Sequence, residues 1–385
     1  MFIVTNREVD ETKTTVKDAF KSYPNACGPN ELRLAEAVRD GKEWRIRILP
    51  DQISDEMAAE VGLTHEVDPD TGEKKPLYAS AYVARRIVER VNPKMLGGKP
   101  QGKGKGKQKG RNLVFFVHGF NNNVQAVLDR AEEIEETYGV EVLPFTWPAN
   151  GGGVKGVVSY LSDKRDALAS TGALDRCLGK LEDILNRIHE DHVKRVEGLA
   201  NARYANKDKP GQIDAEQWDL FFTKESQKWC PFNVSIMLHS MGNYLFKHLL
   251  KSSVYRGNRL LFDNVLMVAA DANNENHAEW VGRIQCRGHI YVTINERDSA
   301  LLASRMKVGE QQLARLGHYP YKLDCPQAVY VDFTNQPHVG SEHAYFEGGA
   351  LKNAKVKAFF DEAFNGNYAE TGLVFDIGRN MYRLN

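Results

Sequence analysis

The sequence predicts an α/β fold: a mostly parallel sheet of eight strands, helices on both faces, carried by a single decorated domain. Three observations lead there. Short apolar runs alternate with longer stretches of helical period along most of the chain. The short runs are rich in Val, Ile and Phe and poor in charge, as strands covered on both faces are. Hydrophobic residues make up 42% and aromatics 10% of the 385 positions, ordinary globular usage with enough apolar material for a large core.

The expected strands are Phe2–Thr5, Trp44–Leu49, Leu113–Val117, Glu141–Phe145, Val234–Leu238, Val265–Ala269, Ile290–Ile294 and Ala328–Asp332. Helical patterns are read at Leu32–Asp40, Ala79–Val91, Val124–Tyr138, Ser162–Asp191, Tyr244–Leu250, Ala300–Leu316 and Leu351–Ala363. Two segments interrupt this order. Gly97–Gly110 holds five lysines and, apart from Pro100, no apolar side chain, which predicts a solvated basic loop or, alternatively, a grip on an anionic surface. The polar stretch from Arg187 to Cys230, with Trp218, Phe221, Phe222 and Trp229, reads as an insertion and a candidate lid.

Composition removes several classes of function. The 51 basic and 51 acidic residues cancel, so the surplus of positive charge that nucleic-acid binding draws on is missing. No run approaches the length of a membrane span, and Met1–Arg7 lacks the basic and apolar regions of a signal peptide. The five cysteines are scattered and include no C-x-x-C pair, so neither disulfides nor zinc are expected. These points predict a soluble, cytoplasmic protein that needs no metal or organic cofactor.

The chemistry concentrates where strands end. Val234–Leu238, then His239-Ser240-Met241-Gly242-Asn243, is an apolar strand, a serine and a helix-forming run, the arrangement of a nucleophile elbow. Gly242 supplies one of the small residues such a turn needs; Leu238 stands where another is usual. The helix that follows offers its N-terminal N–H groups, that of Met241 first, to a developing oxyanion. Leu113–Val117 ends in His118-Gly119-Phe120-Asn121, and Gly119 would let the N–H of Phe120 act as the second donor. His118 reads as a strand-end histidine bonded to loop backbone; His118, Asn121, Trp147 and His239 are also candidates for the substrate pocket. Serine needs a base and an orienting carboxylate. Asp298 lies just past a strand and before a helix, the position expected of the acid, with an N-cap role as the alternative. Glu296 and Asp271 are its rivals, and His338 and His343 share the loop expected to supply the base.

Together these residues resemble the α/β hydrolases, and more narrowly DUF900, a family of bacterial α/β hydrolases of unknown function. The resembling pieces are Phe2–Arg7, Val117–Asn121, Phe145–Ala149 with Asp163 downstream, Leu238–Asn243, Ala269–Ala272, Asn295–Leu301 and Glu342–Phe346. The resemblance implies the α/β-hydrolase fold, with Ser240 as nucleophile, Asp298 as acid and His343 as base. In that pattern the histidine directly precedes a small residue and an aromatic, as His343 does and His338 does not. The expected activity is hydrolysis of a carboxylic ester or thioester of a small-molecule or lipid substrate. The alternatives are a scaffold used only for binding, or an amidase or peptidase with the same triad. The basic loop and the aromatic insertion would suit peripheral contact with an anionic membrane.

Overall fold

Leu113-Val114-Phe115-Phe116-Val117 is apolar at every position, and a strand without a polar face must be covered on both sides. In the computed structural model, which describes residues 1–92, 111–149, 156–204, 214–226, 232–252, 260–306 and 314–384, all five are buried. Leu113, Phe115 and Val117 enter one apolar cluster; Val114 and Phe116, pointing the other way, enter a second.

The strands are β1 (Phe2–Thr5), β2 (Arg7–Val9), β3 (Phe20–Pro24), β4 (Arg33–Asp40), β5 (Glu43–Ile48), β6 (Leu113–Val117) and β7 (Glu141–Thr146). They continue as β8 (Val234–His239), β9 (Val265–Val268), β10 (Ile290–Ile294), β11 (Ala328–Asp332), β12 (Val374–Asp376) and β13 (Met381–Arg383). The helices are α1 (Val16–Ala19), α2 (Asp55–Glu60), α3 (Ala79–Val91), α4 (Val124–Tyr138), α5 (Gly156–Ala169) and α6 (Thr171–Tyr204). After them come α7 (Ala215–Ser226), α8 (Met241–Lys251), α9 (Ala278–Val281), α10 (Ser299–Arg305) and α11 (Ala354–Phe364).

Eleven strands form one sheet in the order β12-β13-β11-β10-β9-β8-β6-β7-β1-β4-β5, while β2 and β3 pair separately. From β13 to β1 all neighbours are parallel; β12, β4 and β5 join antiparallel at the two edges. The layered α/β architecture agrees with the expectation, although the sheet is wider than the eight strands expected. Helices α3, α6 and α8 cover one face; α4 and α11 cover the other.

The segment Leu32–Asp40, expected to be a helix, is β4. Its Leu, Ala, Glu and Arg residues favour helices, but Ala35 and Ala37 are buried while Glu36 between them is not, the period of a strand. Its two neighbours decide the matter: β1 and β5 both offer antiparallel partners, and the ladder outweighs intrinsic propensity. The helix expected over Ala300–Leu316 is α10, Ser299–Arg305; Arg315 instead bridges to Asn273. The helix expected over Ser162–Asp191 is two, α5 and α6, parted at Ser170, whose hydroxyl accepts from Asn6 Nδ2. Within the expected insertion, α6 runs on to Tyr204 and α7 follows, with Trp218 stacked on Phe222. Gly97–Gly110 lies outside the described residues. Among those described, no helix is long and apolar enough to cross a membrane.

Since Phe115 is fully buried in the centre of the sheet, Phe115→Ala should lower the unfolding free energy by about 3–5 kcal/mol in urea denaturation. Val38→Thr, at an exposed position of β4, should change it by no more than about 0.5 kcal/mol.

Candidate active site

In a parallel sheet the carboxyl ends of the strands open onto one edge, and loops there can bring distant residues together. The turn after β8 places Ser240 at φ 54°, ψ −120°, a conformation that a side chain strains by about 1–3 kcal/mol. Backbone bonds clamp it: Ser240 N donates to Val268 O at 3.0 Å, and Ser240 O accepts from the N–H groups of Asn243 and Asp271, both at 3.1 Å. Asn243 adds a side-chain strut, donating from Nδ2 to Leu238 O at 2.7 Å and Ser240 O at 3.2 Å.

The close approach falls on two glycines. A Cβ on Gly242 would lie 2.6 Å from Val117 O, and one on Gly119 would lie 2.6 Å from Ser240 Cβ and 3.1 Å from Oγ. Gly119 thus lets the end of the neighbouring strand come directly against Ser240. Leu238 itself is fully buried in the core.

The loop 118–122 is braced from behind. Trp147 N donates to His118 Nε2 at 3.2 Å, so Nδ1 is the protonated nitrogen, 2.9 Å from Gly119 O. His118 also lies flat against Trp147, whose indole N–H donates to His118 O. Burial and the nearby Arg7 guanidinium push the His118 pKa down to about 3, so the ring stays neutral. Arg7, itself buried, donates to Thr146 Oγ1 and to the carbonyls of Asn122 and Ala149, tying this loop to the one after β7. Burial lowers its pKa to about 10, opposed by Asp163 and Asp166. Asp163 accepts from Asn121 N at 3.3 Å, holding that exposed residue at φ 57°. His118 and Trp147, considered above as pocket residues, are fully buried and serve as bracing.

Asp298 combines two tasks. Oδ1 accepts from Leu301 N at 2.9 Å and caps α10; Oδ2 accepts from His343 Nδ1 at 2.7 Å. The carboxylate is completely buried, whereas the His343 side chain is 23% exposed. Asn295 holds the loop bearing the imidazole, its Nδ2 donating to Gly340 O and Glu342 O, both at 3.2 Å. His239 packs behind His343 with ring centroids 4.7 Å apart and approaches His343 O through Nε2 at 3.3 Å. Burial and the charge of His343 lower the His239 pKa well below the ordinary value. His239 is 98% enclosed and packed against His343. Among the described residues Ser240 Oγ and His343 Nε2 have no hydrogen-bond partner, from each other or elsewhere.

Asp271, the rival acid, is engaged elsewhere. Oδ1 receives Ser304 Oγ at 2.7 Å and pairs with Arg315 Nε at 3.0 Å, and Oδ2 receives Tyr160 OH at 3.0 Å. Glu296 ion-pairs with Arg379, and His338 is exposed on its loop. Phe120 is half-buried, its ring edge-on to Tyr160, and Met241 opens α8, where the first N–H has no intrahelical acceptor. Arg7, Asp163, Asn243 and Asn295 lie inside segments that drew notice in the sequence, yet only the fold discloses what each one braces. Among the described residues no group of three or more His, Cys, Asp or Glu side chains could hold a metal ion.

A family model described as an α/β hydrolase of unknown function (DUF900) matches residues 103–196 and 222–330, just over half of the chain. No curated protein matches, and no solved structure does.

Asn243→Ala should lower stability by about 1–3 kcal/mol by urea denaturation, because buried carbonyls lose their donor. His118 gives a signed pH effect. Its ordinary pKa of 6.5 falls to about 3 on folding, so between those values the unfolded chain binds the proton and the native protein does not. Stability should therefore fall as the pH drops below 6.5, this group contributing up to about 1.4 kcal/mol per pH unit, and His118→Gln should flatten that slope in melts at stepped pH.

Proposed function

Because the chain belongs to DUF900, a family of α/β hydrolases, we propose that it is a serine hydrolase acting on a carboxylic ester or thioester. One observation carries this reading above the others. A buried carboxylate holds His343 by Nδ1 at 2.7 Å, which leaves Nε2 as the basic nitrogen, on the sheet edge where Ser240 is held at positive φ.

Ser240 Oγ attacks the carbonyl carbon as His343 Nε2 takes the hydroxyl proton. The imidazolium is stabilised by Asp298, whose position does not depend on substrate because the α10 cap already fixes it. The oxygen that gains the negative charge is met by the N–H groups of Phe120 and Met241; loss of one such donor costs about 2.7–4 kcal/mol in related chemistry. Collapse of the tetrahedral intermediate breaks the bond to the alcohol or thiol, which leaves with the proton from His343. Water, deprotonated by the same nitrogen, then releases the acid and restores Ser240. The hydrogen bond from Ser240 to His343 is the one that substrate binding would have to tighten, as is common for such sites.

The test uses short p-nitrophenyl esters and a fluorophosphonate probe. Wild type should be labelled and active, and Ser240→Ala should lose both properties while keeping its fold. Asp298→Asn should lower kcat by about 10⁴, since the imidazole loses its orienting acceptor. A folded wild-type protein that is neither labelled nor active would refute the proposal.

A further inference from the structure

Away from the serine, α3 and α6 lie over the sheet without filling the space beneath them. A cavity of about 490 Å³ remains there, within the range of small-molecule sites. Its floor is made by Phe115 and Leu143 of the sheet, its walls by residues such as Val83 and Ile87 of α3 and Leu181 and Ile184 of α6. Ser240, Asp298, His343 and Phe120 take no part in the lining, so this is a second site.

The polar groups are few, and their pairing is informative. Four charged residues line the cavity: Glu31, Asp51, Arg176 and Lys180. Glu31 pairs with Arg176 at 2.9 Å, and Asp51 lies 3.5 Å from Arg33, which pairs more closely with Glu11. Lys180, which is exposed, has no ion-pair or hydrogen-bond partner among the described residues. The slot therefore presents aliphatic walls and, at its mouth, one ammonium without a partner among the described residues. A ligand bearing several polar groups would leave them unpaired against those walls, at considerable cost. A neutral hydrocarbon would leave the ammonium unused. A ligand with one apolar chain and one anionic end satisfies both requirements.

We propose that this cavity binds a free fatty acid, its chain lying between α3 and α6 over Phe115 and its carboxylate meeting Lys180. The site is independent of the hydrolase chemistry, and its test is made without turnover.

Calorimetry on the Ser240→Ala protein, titrated with decanoate and separately with 1-decanol, measures binding at this site. Decanoate should bind, and affinity along the series octanoate, decanoate, dodecanoate should rise by about fourfold per methylene. Lys180→Glu, a surface change that leaves the walls intact, should weaken decanoate by about tenfold and leave 1-decanol unchanged. Ile184→Trp, which fills the slot, should weaken both ligands, with circular dichroism reporting the fold. Absence of decanoate binding up to ~1 mM to folded protein would overturn the proposal. So would decanoate binding that ignores both substitutions, which would place the acid elsewhere, for example as a product at position 240.

Discussion

Everything at the sheet edge depends on holding one residue, Ser240, in a backbone conformation it would not choose. A serine at φ 54° costs about 1–3 kcal/mol, and no single contact offsets that. The turn is held by a set of bonds from three directions: Val268 from the adjacent strand, the amide of Asp271 beyond that strand, and Asn243 from the following helix. Each is an ordinary hydrogen bond worth about 1 kcal/mol net. Their number over-determines the turn. The same packing brings Gly119 against the serine, so the backbone of the neighbouring loop comes beside the hydroxyl because no side chain stands between them.

The two acidic candidates show how environment separates like groups. Asp271 and Asp298 both follow strands and both are buried. Asp271 meets a buried arginine, a tyrosine and a serine, and its oxygens are saturated by them. Burial also raises the Tyr160 phenol, which keeps it a proton donor toward Asp271. Asp298 meets one backbone N–H and one imidazole, dividing its two oxygens between a helix cap and a histidine. The cap of the helix and the partner of the imidazole, two separate possibilities in the sequence, are one and the same carboxylate in the molecule.

Polar groups buried behind the site serve it indirectly. Arg7 and His118 join the loops after β6 and β7, and Asn295 joins the loop after β10 to the one that bears His343. Burying a cation such as Arg7 is expensive unless its donors are used, and here they are distributed over four oxygens. Interiors that commit polar groups in this way are rigid and resist small displacements.

The eight expected strands, the turn at Ser240 and the segments that carry Asp298 and His343 were legible in the residues, since apolar runs, turn chemistry and short spacings are local signals. The same local signals misread Leu32–Asp40, where helix-forming residues became a strand because β1 and β5 supplied ladder partners far away in sequence or across a turn. They favoured Asp298 over Asp271, and the family resemblance favoured His343 over His338, but neither preference rested on a contact. Those choices are contacts between residues as far apart as Tyr160 and Asp271, or Asp298 and His343, and a pairing of that range has no local trace. Sequence by itself determined which chemical groups stand at strand ends; tertiary structure decided which of them meet, because a hydrogen bond depends on distance in space and not on separation along the chain.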